Sequence, residues 1–262
     1  MPFPFFQVDA FTRRAFSGNP AAVCLLESWP DDALLQALAA ENNLSETAYL
    51  VPEGADWRLR WFTPTTEVDL CGHATLAAAQ VLAETQAGDA TQWQFLTRSG
   101  RLTCTAEGGA WCLTLPVLRL TPGEVPDLPG VPVLEAFVGM DTVLVLADAD
   151  AVRGFDPEWA RHPAFAGVRG LCVTAQGDAP GVDFVSRFFA PNAGIAEDPV
   201  TGSAHCALAP YWATRLGRKR LRARQLSARG GDVDCEVDGQ TVRLRGHAVT
   251  VIRGTVTLDR WN

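Results

Sequence analysis

Two short segments of this chain hold residue types that can move a proton or hold an anion, and they are built alike. In the first, Arg60-Trp61-Phe62-Thr63-Pro64 leads through the acids Glu67 and Asp69 to Gly72-His73-Ala74. In the second, Arg187-Phe188-Phe189-Ala190-Pro191 leads through Glu197 and Asp198 to Gly202-Ser203-Ala204. Pro191 falls 127 residues after Pro64, close to half of the 262-residue chain, so the pattern reads as an internal repeat. A helix that starts on small residues leaves its first backbone N–H groups unpaired, reachable and partly positive. Such an end suits a carboxylate or a developing enolate. Two halves related by a pseudo-twofold would turn both ends into one cleft. For either glycine alone, close helix packing explains the residue equally well; the pairing favours the anion site.

The elements that must carry these groups follow from periodicity and punctuation. Short strands are predicted at Phe3 to Val8, Ala21 to Leu26, Ala48 to Val51 and Arg58 to Thr63, broken by Gly, Pro and Asn clusters. Asp31 and Asp32 open a helix through Leu34, Leu35, Leu38 and Ala39. A second helix, Gly72 to Thr85, is apolar nearly all round, which predicts burial inside a domain. Five prolines between Pro116 and Pro132 read as a connector. Beyond it strands are expected at Val133 to Val138, Thr142 to Leu146, Gly170 to Thr174 and Val182 to Phe189, then a helix from Gly202 to Leu216 and hairpin-like strands to the end. The expected domains are residues 1–115 and 116–262, with the last strand, about 248–258, a candidate to cross back to the first half.

Composition and absent motifs narrow the chemistry. The net charge of −8 disfavours nucleic acid and anionic membranes as partners. The basic run Arg215, Arg218, Lys219, Arg220, Arg222 and Arg224 alternates with Leu216, Leu221 and Ala223, as a solvated helix end entering a strand does. Seven scattered cysteines without a C-x-x-C point to reduced thiols and a cytoplasmic location. Neither an export signal nor a run of 18 uncharged apolar residues is present, so no membrane association is expected. Lys219 is the only lysine and lies in the basic run, which leaves a pyridoxal Schiff base no anchor. His73, His162, His205 and His247 show no metal-ligand spacing, and no phosphate-binding glycine loop occurs. No metal and no cofactor are therefore expected.

Four motifs in order along the chain, Ser17-Gly18-Asn19-Pro20-Ala21, Asn43-Leu44-Ser45-Glu46-Thr47, Cys71-Gly72-His73-Ala74-Thr75 and Glu197-Asp198-Pro199-Val200-Thr201-Gly202-Ser203-Ala204, resemble the PhzF-like isomerase family. That resemblance implies the α+β fold of diaminopimelate epimerase: two similar, pseudo-twofold-related domains, each a curved, mostly antiparallel sheet wrapped around a central helix. It implies Glu46 as general acid/base, His73 and Asp198 as catalytic partners, and Asn19, Gly72, Ala74, Gly202, Ser203 and Ala204 around the substrate. It also implies a homodimer. Apolar Leu44, Ala48 and Tyr49 beside Glu46 are expected to favour its protonated form. Each polar residue keeps a plainer reading: an exposed turn for Glu46, a helix-start hydrogen bonder for His73 or Ser203, a capping acid for Asp198, a turn residue for Asn19.

The epimerases of this fold use one thiol from each half as acid and base. Here Cys71 stands at the first helix start, whereas the second reads Asp198-Pro199-Val200-Thr201. Cys206 lies deeper in its helix and reads as a buried core residue. The expected function is a cofactor-independent isomerisation by proton transfer on a small carboxylate-bearing metabolite. An amino-acid epimerase or racemase is the nearest alternative, disfavoured by the missing second thiol. A non-catalytic metabolite-binding or interaction protein is the alternative from another class.

Overall fold

The computed structural model describes residues 2–86 and 90–258. The chain divides into two compact units, one of residues 1–114 with 245–262 and the other of residues 115–244.

In the first unit, β1 (Phe3–Ala10) pairs antiparallel with β2 (Asn19–Leu25), and β2 runs parallel to β3 (Glu46–Glu53) across helix α1 (Asp32–Asn42). β3 pairs antiparallel with β4 (Asp56–Phe62), which carries the two-residue β5 (Glu67–Val68). Helix α2 (Gly72–Thr85) follows, and the chain returns through β6 (Gln92–Thr97), parallel to β4, then β7 (Gly100–Glu107) and β8 (Ala110–Pro116).

The second unit repeats that order. β9 (Thr121–Pro122) and β10 (Val133–Val138) are antiparallel, as are β10 and β11 (Thr142–Leu146); β11 is parallel to β12 (Leu171–Gln176) across the short helix α3 (Ala149–Arg153). β12 pairs antiparallel with β13 (Phe184–Ala190), which carries the short β14 (Ile195–Asp198). Helix α4 (Gly202–Leu216) leads to β15 (Arg220–Gln225), parallel to β13, and on to β16 (Gly231–Asp238) and β17 (Thr241–Gly246). The last strand, β18 (Ala248–Val256), pairs antiparallel with β1 in the first unit, where β9 pairs with β10 in the second. Each unit is therefore a mostly antiparallel mixed sheet with one long buried helix, an α+β arrangement.

The repeat reaches the side chains. Arg60 makes a two-point contact with Glu67 and lies 5.0 Å from the Phe62 ring centre. Arg187 does the same with Glu197 and lies 4.9 Å from the Phe189 ring centre. Planar guanidinium groups suit both partners at once. Glu67 and Glu197, read from sequence as turn acids, are thus ion-pair partners of their own sheets.

Burial follows the sequence pattern. Ten of the fourteen α2 residues are buried, and its alanines combine high helix propensity with room for close approach to β1, β2, β3 and β18. Leu76 and Leu82 are fully buried there, each worth about 2 kcal/mol in transfer from water. Strand β15 alternates exposed arginines with buried Leu221, Ala223 and Gln225. The basic side chains of this run meet acids: Arg218, just before the strand, with Asp183, and Arg220 and Arg224 within it with Glu236 and Asp232. The proline-rich stretch is not a free connector. Val117 N–H donates to the Gln240 carbonyl, Leu118 N–H to that of Cys206, and β9 extends the β10 edge, so the stretch is part of the second unit.

Candidate active site

The first unit gathers four of the motif side chains. Asn19 opens β2 and is fully buried. The preceding Gly18 has φ +69°, and a Cβ there would sit 2.1 Å from the Ala10 carbonyl oxygen, so only glycine delivers the chain to Asn19 in this way. Glu46 opens β3, one turn residue group after α1 ends on Asn43 in the left-handed region (φ 49°). Asn42 Nδ2 donates to Thr47 Oγ1 and fastens that corner. His73 is the second residue of α2, and Cys71 is its N-cap, in extended conformation.

The four meet at the imidazole. Glu46 Oε2 lies 3.1 Å from His73 Nε2, with side chains 13% and 5% exposed. On the other side of the ring, Asn19 Nδ2 lies 3.2 Å and Cys71 Sγ 3.5 Å from Nδ1. Glu46 is therefore neither an exposed turn residue nor merely flanked by apolar groups. Its important neighbour is a buried base. An Asn19 N–H aimed at Nδ1 fits the neutral imidazole, whose proton then sits on Nε2 facing Glu46. The imidazolium is matched by the same amide turned over, oxygen toward Nδ1–H.

Charge at this cluster is set by opposing effects. Burial works against a charge on His73, but the negative forms of Cys71 and Glu46 outweigh it and raise the imidazole pKa well above its ordinary value. Burial and then the Glu46 carboxylate push the Cys71 thiol up to about 11. Burial thus disfavours the thiolate, the form of Cys71 that contributes most to raising the His73 pKa. A carboxylate and an imidazole in contact at 3.1 Å can take a proton from a substrate carbon and pass or return it. The α2 start adds backbone N–H groups without a capping side chain.

In the second unit, Asp198 ends β14 and is buried. Thr201 Oγ1 donates to Asp198 Oδ2 at 2.5 Å, so Thr201, the α4 N-cap, spends its hydroxyl on Asp198 and not on the helix. Asp198 is thus not the cap of α4. Fully buried Gln225 clamps the turn: Nε2 donates to the Asp198 carbonyl at 2.6 Å and Oε1 accepts from Thr201 N–H at 2.9 Å. Gly202 and Ala204 form the first turn with Ser203, whose hydroxyl accepts from Arg169 Nη2 at 3.1 Å. His205 Nδ1 lies 2.8 Å from the Thr201 carbonyl, and burial lowers its pKa to about 4. Gly72 and Ala74 are likewise buried at the start of α2. Sequence reasoning passed over Cys71 as a partner of His73, and over Gln225 and Arg169. Cys71 lies two residues before His73 in the same motif, which was the available signal, whereas no motif spacing announces Gln225 and Arg169, which chain-distant packing brings in.

Glu46, Cys71 and His73 also offer carboxylate, thiolate and imidazole donors within 4.8 Å of one another. The ligand-spacing test applied to the sequence could not see this group, since Glu46 comes from a different strand. The donor types suit a zinc-like ion. Binding one would require removing the thiol proton, which burial of Cys71 opposes. Among the described residues, no helix is long and apolar enough to cross a membrane.

Comparison with known proteins agrees over the whole length. The family model described as "Phenazine biosynthesis-like protein" (PhzC-PhzF) matches residues 8–122 and again 123–254. An uncharacterized isomerase of Pseudomonas aeruginosa is 47% identical, with 98% of this chain and 100% of that protein covered. The crystal structure of a PhzF-family phenazine biosynthesis protein from Enterococcus faecalis is 44% identical and superposes with a TM-score of 0.91, covering 98% of this chain and 100% of that one. A predicted epimerase from Pseudomonas aeruginosa shares the fold at a TM-score of 0.70 and 24% identity, covering 97% and 99%. The fold is thus the diaminopimelate epimerase-like one, with two PhzF-type domains.

Proposed function

The chain belongs to the PhzC-PhzF family of phenazine biosynthesis-like proteins, and from that premise we propose that it is an isomerase that moves a proton along a small carboxylate-bearing metabolite. The observation that carries this reading is the 3.1 Å contact between Glu46 and His73. Glu46 takes the proton from the substrate carbon and returns it elsewhere. His73 holds the carboxylate in place, and its raised pKa keeps a proton at hand. Asn19 meets either protonation state of the ring. The α2 start, through Gly72 and Ala74, offers backbone N–H groups to the anionic substrate, and Asp198 with Gly202, Ser203 and Ala204 are the corresponding candidate binding groups of the second unit. No cofactor takes part, and the protein works as a homodimer in the cytoplasm.

A two-thiol racemisation is the weaker reading. Counting from the paired helix starts, the counterpart of Cys71 is Thr201, whose hydroxyl is already committed to Asp198. A purely binding role gains no support from the buried carboxylate–imidazole contact, which a binding module does not need. The direct experiment is incubation in heavy water with a panel of small cyclic and acyclic carboxylic acids, read by proton NMR. Wild type should place deuterium at one carbon of at least one panel member and continue to do so after exhaustive chelation. Loss of exchange on chelation, restored by an added metal, would replace this mechanism with a metal-dependent one.

A further inference from the structure

The strand register shows what the second unit has put in the place of Glu46. Phe62 and Phe189 are counterparts in the repeat. Phe62 lies opposite Thr47 and Phe189 opposite Leu171, which makes Gly170 the counterpart of Glu46. Ala22 pairs with Thr47 and Thr142 with Leu171, so Asp141 corresponds to Ala21. Gly72 and Gly202 open the long helices, so Ser203 stands where His73 stands. A glutamate cannot stand at Gly170 without displacing its neighbour, because a Cβ there would lie 2.3 Å from the Phe188 ring.

The polar group is instead one residue earlier. Arg169 Nε donates to Asp141 Oδ1 at 2.9 Å, and Nη2 donates to Asp141 Oδ2 at 2.5 Å and to Ser203 Oγ at 3.1 Å. The Asp141 side chain is 6% exposed and that of Arg169 is 45% exposed, so a buried acid holds an open guanidinium in a fixed orientation. The Phe188 ring centre lies 5.7 Å from its central carbon. Two of the five N–H donors, those on Nη1, have no hydrogen-bond partner among the described residues. Of the positions that join a carboxylate to a base in the first unit, only that of His73 recurs, as Ser203, and there a cation from the neighbouring position meets a hydroxyl.

We propose that Arg169, aligned by Asp141 and acting beside Ser203, gives the second unit a receptor for a small carboxylate. A guanidinium held in this way is a fork-shaped anion receptor, for which lysine is a poor substitute. This rests on the isomerase reading above for its substrate class. The probe is benzoate, set against benzamide, which has nearly the same shape and no charge, with both titrated calorimetrically.

Arg169→Gln should weaken benzoate binding roughly 10-fold or more while leaving benzamide unchanged, and Arg169→Lys should fall between wild type and Gln. Arg169→Gln strips the buried Asp141 of its partner; if that variant does not fold, the wild-type and Lys proteins carry the comparison. Three results overturn the proposal: wild-type protein that fails to bind benzoate at tens of millimolar, a folded Arg169→Gln or Arg169→Lys protein with wild-type benzoate affinity, or equal loss of benzoate and benzamide. Glu46→Gln separates the two claims. It should keep benzoate affinity and lose deuterium exchange; undiminished exchange would sink the proton-transfer reading and leave the benzoate result standing.

Discussion

His205 offers a quantitative test of how the second unit holds its helix start. The ring is fully buried in the first turns of α4, beside Phe184, and its Nδ1–H donates to the Thr201 carbonyl. Burial lowers its pKa from 6.5 to about 4. Between those values the unfolded chain binds a proton that the folded chain refuses, so stability falls as pH drops from 6.5 towards 4 and changes no further below that. A displacement of this size corresponds to about 3 kcal/mol in total, of which about 2 kcal/mol is lost by pH 5. His205→Asn retains a donor near the Nδ1 position and removes the titrating group. Urea unfolding of both proteins at pH 7.5 and pH 5 isolates the effect, because the carboxylates common to both cancel in the difference. Wild type should lose about 2 kcal/mol more than the variant over this interval. Parallel losses would mean that His205 is protonated normally in the folded state, and that the Thr201 carbonyl at the α4 start is held in some other way.

Two other substitutions test how the candidate groups are positioned. Gln225→Ala removes the three bonds that clamp the Asp198–Thr201 turn; urea unfolding should show a cost of roughly 2 to 4 kcal/mol, and a loss below about 0.5 kcal/mol would deny it that role. Gly18→Ala must place a Cβ against the Ala10 carbonyl at positive φ; a loss of more than about 2 kcal/mol is expected, with a changed His73 imidazole NMR signal as Asn19 moves, and an unaltered signal would separate Asn19 from the ring.

Much of the fold was legible because its punctuation is strong. The ranges read for α2, α4, β10 and β11 are those observed, since each is an apolar run closed by glycine, aspartate or a charged turn. The five-residue α3 and the β6–β8 meander lack long periodic stretches and were not resolved from the sequence. The prolines of 116–132 suggested a connector because proline marks breaks in local structure. Nothing local reveals that Val117 and Leu118 find hydrogen-bond partners at Gln240 and Cys206. The site shows the same division. The family resemblance of four motifs brought Glu46, His73 and Asn19 forward, whereas the contact of Glu46 with His73 and the places of Gln225 and Arg169 depend on which strand starts beside which helix.

The central claim is that Glu46 carries the proton, and the measurement that bears on it most directly is the rate of solvent-deuterium incorporation by Glu46→Gln relative to wild type, on whichever panel acid the wild type labels. Gln keeps the shape and the close approach to His73 Nε2 but cannot titrate. The account predicts incorporation slowed roughly 10²-fold or more with little change in affinity for the acid. Incorporation at the wild-type rate would remove Glu46 from the mechanism and leave the buried His73–Cys71 contact as the remaining place to look for the base.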